Sequence, residues 1–495
     1  MRSSGILLPI FALPGKYGIG GFTKEAYDFV DFLARARQKY WQILPLGPTG
    51  YGDSPYQAFS TFAGNPYFID LDELVKAGLL TEQECIDYDA TGEGGAIDYS
   101  RLYFNRFDLL RMAYERSNAR QDKLFNEFVA DNAFWLDDYA LFMAVKKEFC
   151  GKVWTEWDKD IRIRTPEALE RYRSKLWDDM DFYRFQQFWF SKQWKALKHY
   201  ANEKGVEIIG DIPIYVAFDS ADVWSKPELF DLDNENIPVS VAGCPPDPFA
   251  ITGQLWGNPL YDWDYHKNTG YDWWIKRIGY CFDLYDVVRI DHFRGFDEFY
   301  TIPYGDPTAE NGKWKKGPGI ELFNTINEKL GKRKIIAEDL GFLTDSVRDL
   351  VKATGYPGMK VLQFAFDSSP LSEYLPHMLS NNSVIYSGTH DNETSRGWYK
   401  RVSTDDPRTA KYFDDYTGNE YVDTAAASMI RQAMASVCDT CIIMMQDYLN
   451  LGNEARINTP SVLGGNWTWR MEPDAISPEL PDEIANLTYV YGRCL

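Results

Sequence analysis

The sequence predicts an α/β fold, a (β/α)8 TIM barrel with inserted subdomains after strands 2 and 3. Three observations carry this prediction: eight short apolar runs recur along the 495 residues, helical patterns separate several of them, and three of the runs end in a carboxylate. Near-continuous apolar runs suit strands that are buried on both faces, as in parallel sheets. Alternation of strand and helix over eight strands is the pattern of a closed barrel.

In chain order the strand candidates are GILLPI (5–10), YWQILPL (40–46), VEIIGDIPIYV (206–216), DVVRID (286–291), KIIAED (334–339), GMKVLQFAF (358–366), SVIYSGTHD (383–391) and CIIMMQDYL (441–449). After the first, Thr23 is placed to cap a helix in which Ala26, Phe29, Val30 and Leu33 fall at i, i+3, i+4 and i+7. Thr344 is placed to cap LTDSVRDLVKATG, with Gly355 as its terminator. Residues 371–380 and 422–437 also read as helices. Two connections are too long to be simple crossovers. Residues 47–205 carry helical, aromatic-rich stretches and read as an inserted, mostly helical subdomain; residues 217–285 read as a second insertion. With no Ser/Gly-rich linker, internal repeat or low-complexity tract, residues 1–495 read as a single catalytic unit.

Bulk properties narrow the partners. Against 52 Lys and Arg stand 73 Asp and Glu, a formal charge of −21 and a pI near 4.8. Such a surface repels phosphate backbones and anionic lipid, so neither nucleic acid nor membrane is expected as a partner; a neutral, polar substrate meets no such barrier. The 16 Trp, 32 Tyr and 30 Phe mostly serve the core, and the remainder offer flat faces for sugar rings. Seven sparse cysteines, at 85, 150, 244, 281, 438, 441 and 494, argue against a disulfide framework and for a reducing compartment. Cys438 and Cys441 form a CxxC, but no second Cys/His pair completes a zinc site, and no metal is expected. The amino-terminal apolar run is interrupted by Pro9 and Pro14, with no cleavage pattern after it, and no window approaches a membrane span. A cytoplasmic location is the expectation.

The chemistry is concentrated in DVVRIDHFRG (286–295), KIIAEDLG (334–341) and SVIYSGTHDN (383–392). Asp291, Glu338 and Asp391 would stand at the same mouth of three parallel strands, an arrangement suited to cleaving a glycosidic bond. Asp291 is the nucleophile candidate, because Arg289 lies two residues earlier on the same strand face and favours the charged carboxylate. Glu338 follows an apolar run, and partial burial would keep it protonated as a general acid. Asp391, preceded by His390, would bind sugar hydroxyls and stabilise the positive charge of an oxocarbenium-like transition state. A lone strand-end carboxylate is often only a helix cap or a structural ion pair. Three of them, with Arg289, His292 and His390 adjacent, point to catalysis.

RIDHFRG, IAEDLG and SGTHDN resemble the three catalytic motifs of the α-amylase clan in the version carried by family 77 glycoside hydrolases, the 4-α-glucanotransferases. LPLGPTGYGDSPYQ (44–57), GDIPIYV (210–216), PPDPFAITGQLWGNPLYDW (245–263) and INTPSVLGGNWTWR (457–470) resemble further family signatures, so the likeness spans essentially the whole chain. The resemblance implies Asp291 as nucleophile, Glu338 as acid/base and Asp391 as transition-state stabiliser. It implies that Tyr56 stacks on the sugar at the cleavage point and that Asp211, Arg289 and His390 bind that sugar's hydroxyls, with His292 a secondary contact. Gln254, Trp256 and Asn258 would lie on a loop covering the groove, and Asn458, Asn466 and Trp467 on a second loop near the site. Some relatives carry an acidic residue in the covering loop where this chain has Ile251, so that acid's role does not transfer. The implied substrates are α-1,4-glucans (maltooligosaccharides, amylose, starch or glycogen chains), with glucose as an acceptor, and no cofactor is implied.

The catalytic carboxylates leave one alternative open, an α-1,4-glucan hydrolase of the same clan, since both activities use the same triad. Transfer rather than hydrolysis is implied by the resemblance, chiefly in the 245–263 loop. A non-catalytic glucan-binding protein is a third reading, and retention of all three carboxylates weighs against it.

Overall fold

Eight parallel strands close into a barrel, and each forms within one of the eight apolar runs or at its edge. The computed structural model describes residues 2–50, 52–246, 251–341, 343–367, 369–462 and 464–494. In chain order the barrel strands are β1 (Ser3–Leu7), β2 (Tyr40–Gln42), β3 (Glu207–Ile212), β6 (Val287–Ile290), β9 (Ile335–Ala337), β10 (Gly358–Val361), β11 (Ser383–Tyr386) and β12 (Thr440–Met444). Their order around the barrel is β1-β12-β11-β10-β9-β6-β3-β2. Inside it Leu7, Ile209, Val287, Ile336, Met359, Val361, Val384, Tyr386 and Ile442 pack into one apolar cluster. Branched side chains from alternating strand positions fill such a barrel as a solid core, so the functional surface is left to the strand ends and their loops.

The strands are shorter than the apolar runs, and the excess lies at the carboxyl-terminal ends. The run at 206–216 pairs only as far as Ile212, where Pro213 supplies no N–H to continue a ladder. In the run at 441–449, β12 gives way to a short helix at Met445–Tyr448. These segments, apolar but no longer paired, form the mouth of the barrel.

Three of the four expected helices form, but Thr344, like Thr23, caps no helix N–H with its side chain, its hydroxyl meeting Ser346 Oγ (3.0 Å), and residues 371–380 form no α-helix. The helix Asp345–Thr354 ends on Gly355 at φ +72°, the left-handed conformation that glycine takes without steric cost. A 3-10 turn at Val422–Thr424 leads into the helix Ala425–Ala435. Thr23 does precede the helix Lys24–Arg35, but its hydroxyl donates to Glu25 Oε2 (2.5 Å) instead of accepting a helix N–H. Residues 371–380 form turns with a single 3-10 turn at Pro376–Met378. Leu375, preceding Pro376, is extended (φ −63°, ψ 134°), as the ring of a following proline demands.

Between β2 and β3 the stretch 47–205 is mostly helical, with long helices at Tyr99–Arg116, Ala133–Glu148 and Trp177–Glu203. The last of these runs back to the barrel, where Phe22 meets Phe190 and Trp194 at ring distances of 5.1 and 5.3 Å. A second sheet was not legible in the sequence. Strands β4 (Ser240–Cys244), β5 (Gln254–Pro259), β7 (Glu298–Pro303) and β8 (Lys313–Lys316) form an antiparallel sheet in the order β5-β4-β7-β8. β8 is KWKK, exposed at every position, and β5 is QLWGNP, exposed at Leu255 and Gly257; neither is an apolar run. Among the described residues no helix is long and apolar enough to cross a membrane.

Candidate active site

The site grows out of the register between β3, β6 and β9. Asp211 lies directly opposite Arg289, and Arg289 opposite Ile336. Ile209, Val287 and Ile336 face the barrel core, so the two-residue period brings Asp211, Arg289 and Glu338 to the same inner face one step higher. A polar layer therefore sits on the apolar one. The ladder continues past the strands, with Asp291 N–H donating to the Ile212 carbonyl (2.9 Å) and Glu338 N–H to the Ile290 carbonyl (3.1 Å).

Arg289 organises this layer. Its Nη1 donates to both Asp211 oxygens (2.7 and 2.6 Å), its Nη2 to Asp291 Oδ1 (2.9 Å) and its Nε to the Met359 sulfur (3.2 Å). Burial opposes a charge here, but the Asp211 and Asp291 carboxylates outweigh it and hold the guanidinium pKa well above its ordinary value. Asp211 has a side-chain exposure of 0%, whereas Asp291 is 31% exposed at the mouth. The Asp211 oxygens accept from Arg289 and from the Tyr56 hydroxyl (2.7 Å), so Asp211 fixes both groups.

Glu338 is presented by a turn. Its Oε1 accepts from Leu340 N–H (2.8 Å) and its Oε2 from His292 N–H (2.7 Å). His292 reaches that position in the left-handed region (φ 52°, ψ 48°), a conformation uncommon for a bulky residue and typical of functional turns. Next to it, Asp339 points the other way and accepts from Met359 N–H (2.7 Å). Gly358 makes room for that carboxylate, since a Cβ there would lie 2.4 Å from Asp339 Oδ2. Burial first, and the neighbouring Asp291 charge second, push the Glu338 carboxyl up to about 7, against the pull of Arg289 and the two backbone N–H groups. Burial likewise pushes the His292 imidazole down to about 4, so it is neutral near pH 7.

The opposite wall is built from loops. Asp391 follows β11 by five residues and is 46% exposed. Asn458 Nδ2 donates to its Oδ1 (2.6 Å), and His390 Nε2 lies 3.4 Å from the same oxygen. The His390 ring stacks on Tyr56 (5.1 Å, 22°), with Trp467 near both at 5.9 and 6.1 Å. Asn466 shapes the turn beneath, accepting from Thr459 N–H (2.9 Å) and donating to the Val462 carbonyl (2.8 Å).

Gln254, Trp256 and Asn258 occupy β5, a strand and not the loop expected of them, with Gly257 at φ +75° and a register irregularity against β4 between Leu255 and Pro259. Gln254 Oε1 accepts from the Trp256 indole (3.0 Å), and that indole meets the His292 ring edge-on at 4.8 Å. Asn258 is buried; it donates to the Val216 carbonyl (2.8 Å) and accepts from Gln57 Nε2 (3.2 Å), tying β5 to the loops after β2 and β3. Ile251 is 85% exposed just beyond the start of β5. Of the quoted motifs, Tyr51, the segment 247–250 and Leu463 lie outside the described residues.

Sequence reasoning missed Met359 and Arg456. Met359 looks like any core apolar residue, and only closure of the barrel brings its sulfur to Arg289. Arg456 sits in a Gly/Asn/Glu-rich turn that reads as solvent-exposed, yet it donates to the backbone carbonyls of Asp391 and Asn458. Among the described residues no group of three or more His, Cys, Asp or Glu side chains is arranged to hold a metal ion.

A family model described as 4-alpha-glucanotransferase matches residues 8–476. The 4-alpha-glucanotransferase of Clostridium butyricum is 50% identical over 487 residues, covering 98% of this chain and 99% of that protein. The 4-alpha-glucanotransferase of Streptococcus pneumoniae serotype 4 is 50% identical over 494 residues, covering 99% and 97%. Among solved structures, the amylomaltase from Streptococcus agalactiae in complex with acarbose is similar with a TM-score of 0.96 at 42% identity, and each chain is covered completely.

Proposed function

The chain belongs to the 4-alpha-glucanotransferase family, glycoside hydrolase family 77, and from that premise we propose how its residues carry out glucan transfer. The enzyme is a 4-α-glucanotransferase acting on glucans. In the proposed mechanism Asp291 attacks the anomeric carbon of the donor while Glu338 protonates the departing glycosidic oxygen. The carbon–oxygen bond breaks, and the reducing-side fragment leaves with a free 4-hydroxyl. A glucosyl–Asp291 ester remains. Glu338, now a carboxylate, takes the proton from the 4-hydroxyl of an acceptor, which attacks the same carbon and displaces Asp291. Two inversions retain the α configuration.

The observation that carries this reading is the contrast between neighbouring carboxyls. Arg289 pairs with Asp291 at 2.9 Å, whereas Glu338 is pushed up to about 7 by burial and by Asp291 itself. A carboxylate paired with an arginine, beside a carboxyl that burial keeps protonated, meets at a barrel mouth the need for one nucleophile and one acid. Asp391 would then accept sugar hydroxyls and stabilise the positive charge at the transition state. Tyr56, His390 and Trp467 supply the aromatic surface beside it, and Trp256 and Gln254 line the covering side. Asp211 and Asn258 support the site through other groups.

Maltooligosaccharides, amylose and starch or glycogen chains are the proposed donors, and glucose or another α-1,4-glucan the acceptor. Residues 1–495 would act as one catalytic unit. Seven cysteines, none bridged, fit a cytoplasmic setting. The test is to incubate the protein with maltotriose. Transfer yields glucose and a ladder of longer chains while total reducing ends stay constant, because every bond broken is replaced. A steady rise in reducing ends would instead identify a hydrolase.

A further inference from the structure

The structure holds Asp391 differently from the other two carboxylates. The N–H groups of Asp291 and Glu338 are fixed by carbonyls of adjacent strands, whereas the N–H of Asp391 meets only the Thr389 hydroxyl, at 3.4 Å. Support comes from the segment 456–458. Asn458 N–H donates to the His390 carbonyl (3.0 Å), Asn458 Nδ2 to Asp391 Oδ1 (2.6 Å) and Arg456 Nη2 to the Asp391 backbone carbonyl (2.7 Å). The same guanidinium donates from Nε to the Asn458 carbonyl (2.8 Å).

We propose that Arg456 is a positioning residue for the reaction: its guanidinium clamps the Asp391 and Asn458 backbones together and so sets the direction of the Asp391 carboxylate. The inference rests on the reading above that Asp391 stabilises the transition state. A guanidinium presents its donors at fixed angles in one plane, so binding two carbonyls at once fixes their separation and orientation; an ammonium on a flexible stem cannot do both. The grip falls on backbone carbonyls and not on the carboxylate. Asp391 therefore gains a nearby positive charge and a fixed backbone while the guanidinium takes up neither carboxylate oxygen, in keeping with the 46% exposure of the side chain. Small errors in such a placement weaken transition-state binding more than ground-state binding, because the charge that Asp391 meets develops fully only at the transition state.

The test compares Arg456→Met, Arg456→Lys, Asn458→Ala and Asp391→Asn in maltotriose disproportionation, with thermal unfolding followed in parallel. Arg456→Met keeps the stem and loses the donors; its kcat should fall at least about tenfold while KM stays within about threefold, and Arg456→Lys should recover only part of the loss. Arg456→Met combined with Asn458→Ala should be no more than about twofold worse than the poorer single variant, since both act through the same carboxylate. A kcat loss under about tenfold in folded Arg456→Met, or losses that multiply in the double variant, would overturn the proposal. If Arg456→Met does not fold, the same cycle with Arg456→Lys decides. Asp391→Asn separates the two levels. Wild-type turnover in that variant sinks the catalytic reading itself; an inactive Asp391→Asn beside a fully active Arg456→Met sinks only the positioning role.

Discussion

Asp291 and Asp391 face the same cleft from two kinds of scaffold. Asp291 follows β6 directly, with its N–H still in the ladder to Ile212 and its carboxylate paired with Arg289 from two residues earlier. Asp391 hangs on a loop five residues past β11, is more exposed, and is fixed by side chains from residues 456–458. On the strand wall, positions follow from register, and the Asp211 and Asp291 carboxylates share the Arg289 charge before any sugar arrives. On the loop wall, placement depends on hydrogen bonds that cross between segments distant in sequence. Groups that must hold a fixed electrostatic state belong on the first, and groups that meet a variable partner can sit on the second.

This contrast can be broken or sharpened by measurement. The largest effect is expected from Asp291→Asn, which should lower turnover by about 10⁴-fold or more while leaving oligosaccharide binding measurable. Appreciable activity in clean protein would remove Asp291 from the nucleophile role. Asp211→Asn should come next, because it leaves the buried Arg289 guanidinium short of a carboxylate; a loss of about 3–5 kcal/mol in unfolding free energy is expected. Unchanged stability in denaturant titrations would mean that the strand wall is not held together by its charges. On the loop wall, Asp391→Asn should reduce kcat by about 10²–10³-fold with little change in stability, since its carboxylate is half-exposed and serves the transition state in the proposed mechanism. A large fall in unfolding temperature there would erase the distinction between the walls.

The smallest effect is a pH dependence specific to the strand wall. Glu338 must be protonated to act as the acid, and its pKa is raised from 4.5 to about 7. The group therefore stays protonated through the range where an ordinary glutamate has ionised, and kcat/KM should fall only above about 7, by about tenfold per pH unit. An alkaline limb near 4.5 would show that burial does not protect the acid.

Particular residues show how far the sequence was legible. All eight barrel strands could be read because a strand buried on both faces is apolar along its length, as in VEII and SVIY. The antiparallel sheet escaped notice because its strands KWKK and QLWGNP carry no such run. Residues 371–380 depart from the expected helix because Pro376 forces its predecessor out of the helical region. The three carboxylates and Arg289 were visible at strand ends, and the pairing of Arg289 with Asp291 followed from their two-residue spacing. The pairing of Arg289 with Asp211 was not visible, since 78 residues separate them and only the β3–β6 register brings them opposite. The burial of Asn258 and Asp211 was not legible either, because it depends on what packs over them.

The sequence by itself determined the barrel, the three carboxylates at its mouth and the chemistry they share, because each depends on residue type and short-range period. Tertiary structure alone decided how those carboxylates differ. Arg289 divides its charge between Asp211 and Asp291, Glu338 is closed in beside them, and Asp391 is left to the support of Asn458 and Arg456. The physical reason is that ionisation and orientation depend on burial and on charges brought close in space, and a folded barrel brings together residues that the linear chain keeps far apart.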